Sequence, residues 1–69
     1  MSDTDRYVLR GLESPIIGPG KLEYLNRFLK IAYESSMKFP DKSFWIEAVT
    51  GKERTVIRRY KGGEDISEF

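Results

Sequence analysis

The sequence predicts an α+β fold: a two-layer βαββ domain in which one amphipathic helix packs on a small antiparallel sheet that ends in a β-hairpin. Three observations predict it. Only one stretch, residues 18–39 (GPGKLEYLNRFLKIAYESSMKF), is long enough and periodic enough to be a helix. Two runs after it, SFWIEAV and RTVIRRY, have strand composition and flank a Thr-Gly turn, and a third, RYVLRGL, precedes it.

At 100° per residue, Leu22, Leu25, Phe28, Leu29, Ala32, Tyr33 and Ser36 fall in one arc, with Glu23, Asn26, Arg27, Lys30, Glu34 and Lys38 opposite. Pro19 suits a first helical position, because its missing N–H would be unpaired there, and Gly18 suits the cap. Pro40 drives Phe39 out of the α region and stops the helix. Tyr24 and Ile31, seven residues apart, form a second apolar line at the edge of the arc. They either pack under a neighbouring loop or belong to a contact with another chain.

In the first strand, residues 6–12, Tyr7 and Leu9 share one face and Arg6, Val8 and Arg10 the other, and Gly11 bends or ends it. Residues 13–18 read as a loop held down by Ile16 and Ile17. After Pro40, Asp41 and Lys42, the strand over 43–49 sets Phe44, Ile46 and Ala48 against Trp45, Glu47 and Val49. The turn at Thr50 and Gly51 leaves two registers for the returning strand over 54–60. A two-residue turn with Gly51 first places Ile46 beside Ile57 and Trp45 beside Arg58; a bulged turn groups Phe44 and Ile46 with Val56, Arg58 and Tyr60. The first is preferred, because it gathers Phe44, Ile46, Ala48, Thr55 and Ile57 on the helix side.

Placing the first strand beside the hairpin gives a three-stranded sheet with an open edge, across which strand addition would make a homodimer; the Tyr24/Ile31 helix edge is the other route. Residues 1–5 read as a disordered N-terminus, 6–61 as a single domain, and 62–69 as a flexible acidic tail released from the sheet at Lys61, Gly62 and Gly63.

A 69-residue chain without cysteine or histidine has no thiolate or imidazole for catalysis or metal binding. The expectation is a protein that is not an enzyme and needs no cofactor or metal. Thr50-Gly51-Lys52 is not a phosphate loop, since it leads into a strand rather than a helix. The first ten residues lack the apolar run of a signal peptide, no stretch is apolar enough for a membrane span, and the lack of cysteine fits a cytoplasmic setting.

Net charge is +1, but unevenly spread: residues 52–61 hold five basic residues (Lys52, Arg54, Arg58, Arg59, Lys61) against Glu53, while the last six, EDISEF, hold three acids. In the preferred register the face away from the helix shows Trp45, Glu47 and Val49 beside Arg54, Val56, Arg58 and Tyr60. Aromatic and guanidinium groups on one sheet face suit an anionic partner, and cross-strand pairs of this kind also stabilise any exposed hairpin. Two functions from different classes follow. The first is a small inhibitor or adaptor that docks on another protein through Trp45, Arg54, Arg58, Arg59, Tyr60 and Lys61, or through Tyr24 and Ile31. The second is a nucleic-acid-binding module using the same Arg/Lys/Trp hairpin, by base stacking and backbone neutralisation.

Arg6, Tyr7, Gly11 and Leu12, together with the run from Glu47 to Lys52 in the order strand, helix, strand, resemble the small linker modules that cap phycobilisome rods and cores. That resemblance implies a capping contact with other protein subunits. The chain departs from the pattern in lacking a glycine pair directly after the helix and in adding a strand after Lys52.

Overall fold

Alternating apolar residues make strands on either side of one helical stretch, and two glycine turns fold the C-terminal half back on itself. The computed structural model describes residues 4–67. Its elements are β1 (Arg6–Arg10), β2 (Ile16–Pro19), α1 (Leu22–Lys38), β3 (Ser43–Thr50), β4 (Glu53–Lys61) and β5 (Glu64–Asp65). They form one antiparallel five-stranded sheet in the order β2-β1-β3-β4-β5, with α1 on one face. Both β2 and β3 run antiparallel to β1, so α1 connects two parallel strands separated by one. The predicted class and the final hairpin hold. The sheet is wider than the predicted three strands at both edges.

At the first edge, the stretch expected to be a loop is strand β2, whose Ile17 pairs with Val8 and Ile16 with Leu9. Ile16 and Ile17 are 37% and 62% exposed, so they do not hold the segment down. Gly18 does that: it is buried, and an added Cβ there would lie 2.9 Å from the Phe28 ring and 3.1 Å from that of Tyr24. Because Pro19 belongs to this edge strand, where its missing N–H is tolerated, the helix starts later than predicted, at Leu22 after an extended Lys21. The predicted stop is found, with Phe39 out of helical geometry before Pro40.

At the other edge, Gly62 and Gly63 both have positive φ, of 61° and 79°, and make a two-residue turn between Lys61 and Glu64. The chain therefore returns as β5 instead of leaving the sheet. Beyond it the Ile66 N–H donates to the Arg59 carbonyl at 2.8 Å. Of the segment read as a disordered N-terminus, residues 1–3 lie outside the described residues, as do Glu68 and Phe69 of the tail. Asp5 is tied down at both ends: its N–H donates to the Val49 carbonyl at 2.8 Å, and its carboxylate accepts from Gly51 N–H at 2.6 Å.

The β3–β4 register combines the two alternatives that the turn left open, split by a bulge. From the turn, where Gly51 sits first with φ of +60°, pairing follows the preferred register as far as Glu47 opposite Val56. It then shifts by one residue, and Ile46 faces Arg58, Trp45 faces Arg59 and Phe44 faces Tyr60.

The core is the helix side of the sheet: Leu9, Phe28, Ala32, Phe44 and Ile46 are buried together, with Tyr7, Leu12, Leu25, Leu29, Ile57 and Tyr60 against them. Leu22 and Tyr33, predicted in the same arc, are 70% and 43% exposed. Leu22 opens the helix ahead of Leu25, the first helical side chain in the cluster, and Tyr33 meets Tyr60 edge-on at 6.2 Å at the margin. Ser36 is fully buried and satisfied: its hydroxyl donates to the Tyr33 carbonyl at 2.8 Å and accepts from Gly63 N–H at 3.0 Å, so it ties the helix to the last turn. None of the helices described is long and apolar enough to cross a membrane.

The burial pattern orders two substitutions. Phe28→Ala empties the centre and should cost about 3–5 kcal/mol, close to the whole stability of so small a domain. Leu25→Ala, at a half-buried position, should cost clearly less. Urea unfolding of both variants checks this; equal losses would contradict the placement of Leu25 at the margin.

Candidate functional site

The face of the sheet away from α1 has no covering layer among the described residues. Strand alternation and register fix its occupants. One row across β2, β1, β3 and β4 is Ile17, Val8, Glu47 and Val56; the row toward the turn is Pro19, Arg6, Val49 and Arg54; the row beyond is Arg10, Trp45 and Arg59. Lys61 follows opposite Ser43, with Glu64 of β5 beside it.

Small aliphatics lie beneath and long cations around them. Val8 and Val49 are only 4% and 2% exposed, although neither belongs to the helix-side cluster. Val8 pairs with Glu47 and stands between Arg6 and Arg10 on its own strand, and Val49 lies between Arg6 and Arg54, long side chains of the kind whose stems cover aliphatic groups. Arg10 Nε lies 3.0 Å from Glu47 Oε2, and the Trp45 indole N–H donates to the same oxygen at 2.9 Å. The Arg10 approach is close but poorly aligned, leaving that buried Nε and Glu47 Oε1 without a hydrogen-bond partner. The Arg59 guanidinium stands 5.8 Å from the centre of the Trp45 ring.

Glu47 is the pivot of this group. Burial alone would raise its carboxyl, but the hydrogen bond from Trp45, the contact with Arg10 and the charges of Arg10 and Arg54 outweigh that and hold it below its ordinary value. The face still keeps excess positive charge, since Arg6, Arg10, Arg54, Arg59 and Lys61 stand against Glu47 and Glu64. Among the described residues Arg10–Glu47 is the one ion pair.

The structure brings Trp45, Arg54, Arg59 and Lys61 together on this face and sends two other residues elsewhere. The bulge turns Arg58 and Tyr60 to the helix side, so the expected stack of Arg58 on Trp45 is made by Arg59 instead. Arg58 donates to the Ile57 carbonyl at 3.0 Å. Tyr60 packs against the core cluster; burial and then the charge of Asp65 push its hydroxyl pKa up, against a smaller opposing effect of Arg58. Asp65 is held below the usual range by hydrogen bonds from the Ser67 side chain and backbone. Tyr24 is half-buried beside Gly18, with Arg27 5.2 Å from its ring centre, and Ile31 is 37% exposed on the helix.

Arg6 and Arg10 are additions to the site read from the hairpin. Alternation in RYVLR puts them on one face with Val8, but does not say on which side of the final sheet that face lies. Pairing of β1 with β3 supplies that, setting Arg10 opposite Trp45 and Arg6 opposite Val49. Comparison with protein-family models, with curated proteins and with solved structures finds no match for this chain. The likeness to phycobilisome linker modules thus rests on short segments alone and adds nothing to the site.

The lowered Glu47 carboxyl fixes a pH dependence. Its folded-state value lies below its unfolded one, so its contribution is present above the ordinary 4.5 and is lost as pH falls through the folded value. Glu47→Gln should therefore be less stable than the parent near neutral pH by about 1 kcal/mol, and the gap should close in acid. Urea unfolding at neutral pH and in acid below the folded value reads this; a gap that persists unchanged in acid would contradict it.

Proposed function

We propose that this chain is a small non-enzymatic binding protein of the inhibitor or adaptor kind, which docks on an acidic surface of another protein through the outer face of its sheet. One observation carries the reading: five cations from β1 and β4, the strands on either side of β3, flank the row of Trp45, Glu47 and Val49 on an uncovered face, and among the described residues only Glu47 and Glu64 oppose them there. Arginine suits such a contact, since its planar fork grips carboxylates through paired hydrogen bonds. A cytoplasmic setting fits a chain without cysteine.

The same cations would suit a nucleic acid, and the state of Trp45 argues for protein. Its N–H is committed to Glu47 and one side of its ring to Arg59, so a base stacking on that side would have to displace a guanidinium. Tyr24 and Ile31 offer the helix edge as a lesser contact.

Replacing Arg54 and Arg59 by Glu should abolish capture of a stoichiometric partner from lysate and leave the far-UV CD spectrum unchanged. Lys30→Glu, on the exposed side of the helix, should leave capture intact. Capture that disappears on nuclease treatment would overturn the protein reading. So would an affinity falling by roughly one log unit per log unit of salt for each phosphate neutralised, with nucleic acid as the ligand.

A further inference from the structure

Strand β4 has an edge that the sheet does not use. β5 pairs only with Tyr60 and Lys61, and of the described residues after it Ile66 and Ser67 bond to Arg59. From Glu53 to Arg58 no described strand lies beside β4. In a two-residue hairpin the residues flanking the turn bond to each other, so the backbone groups of Arg54 and Val56 point outward. A groove of about 230 Å³ runs along this edge past Thr55, Val56, Ile57 and Arg58. A second of about 140 Å³ opens between it and the helix, lined by Leu25, Leu29, Ile57 and Arg58.

From this juxtaposition of free strand backbone, apolar groove and unpaired arginines we infer that β4 takes up an extended acidic segment of a partner protein as an antiparallel sixth strand. The site shares Arg54 with the outer face but binds in another way: its affinity comes from main-chain bonds and its selectivity from side chains on alternate positions. Residues of the added strand opposite Arg54 and Val56 would share the outer face and should be acidic. Those between them would point to the helix side and should be apolar, filling the groove beside Leu25, Leu29 and Ile57.

Charge decides between this occupant and a second copy of the chain. Self-pairing centred on Arg54 sets the two Arg54 side chains against each other. In the other registers each copy still brings Arg54 and Arg58 to the seam, and the segment from Glu53 to Arg58 has no acid but Glu53, at the turn, to answer them. Self-pairing therefore gathers like charge along one seam, which destabilises a strand pair. An acidic strand meets attraction in the same places.

The test uses the whole chain and a nine-residue peptide of alternating glutamate and leucine, followed by amide chemical shifts. The peptide should bind with its largest perturbations at Arg54 and Val56. In an antiparallel pair the glutamate amides bond to β4, so N-methylation of the glutamates should weaken binding more than about tenfold, whereas N-methylation of the leucines should leave it within about threefold. Lysine in place of glutamate should also weaken it about tenfold or more. Any other methylation pattern, equal binding of the lysine peptide, largest perturbations at residues other than Arg54 and Val56, or a concentration-dependent dimer in sedimentation overturns the inference. The methylation pattern reads main-chain pairing at this edge alone, whereas the outer-face docking is read by Arg59→Glu, since the Arg59 backbone is already bonded to Ile66 and Ser67 and lies off the free edge.

Discussion

One surplus residue in β4 governs how this molecule is sided. Between the Glu47/Val56 pair and the Ile46/Arg58 pair, β4 advances by one more residue than β3, and every later side chain changes face. Tyr60 is thereby carried from the solvent side into contact with Tyr33 and the core, while Arg59 takes the place over Trp45. The bulge disturbs the ladder by about one hydrogen bond, a net loss of roughly 0.5–1.5 kcal/mol, and the Arg58 guanidinium covers part of that by bonding to the Ile57 carbonyl. Burying much of a large aromatic side chain contributes roughly 1.5–3 kcal/mol, so the slipped arrangement wins. The same slip assembles the charged face, and core and candidate site therefore share one cause.

The second constraint is that a single helix covers a single side of a five-stranded sheet. A chain of this length cannot build another layer, so the far side must exclude water from Val8 and Val49 with side chains alone. Arg10, Glu47 and Trp45 form a bonded group next to Val8, and Arg6 and Arg54 flank Val49 from neighbouring strands. Using arginine stems as cover leaves their heads in solvent with too few acids nearby. Such exposed charges repel one another only weakly through water and salt, so the fold tolerates the excess, and it remains available to an acidic surface.

Much of this was legible in the residues. The helical period, the Pro40 stop and the two late strands follow from local pattern, and the place of the first strand beside the hairpin from its having no other sheet to join. The bulge did not, because each register was consistent with half of the hairpin: Gly51 in first place fixes the turn end, whereas the burial of Phe44 and Tyr60 together fixes the far end. Strand β2 was hidden by Pro19, which reads as a helix opener and serves here as an edge residue. β5 was hidden by acidity, although Gly62-Gly63 between two polar residues is itself a hairpin signal. The outer face was half visible: composition named its hairpin cations, and only the pairing of β1 with β3 could add Arg6 and Arg10.

How the edges of the sheet are finished then bears on what the molecule can meet. β2 is four residues long and ends in proline; β5 is two residues long and wholly acidic. Both are poor templates for a further strand, as short, charged or proline-bearing edges are. The middle of β4 lacks those protections and bears arginine in their place. A cation guards an edge against strands like itself but invites strands of opposite sign, so the guard doubles as a selector. Since Arg54 belongs both to this edge and to the outer face, an acidic partner lying across the turn end of β4 could engage backbone and guanidinium at once. A polyanion without a peptide backbone could use only the second.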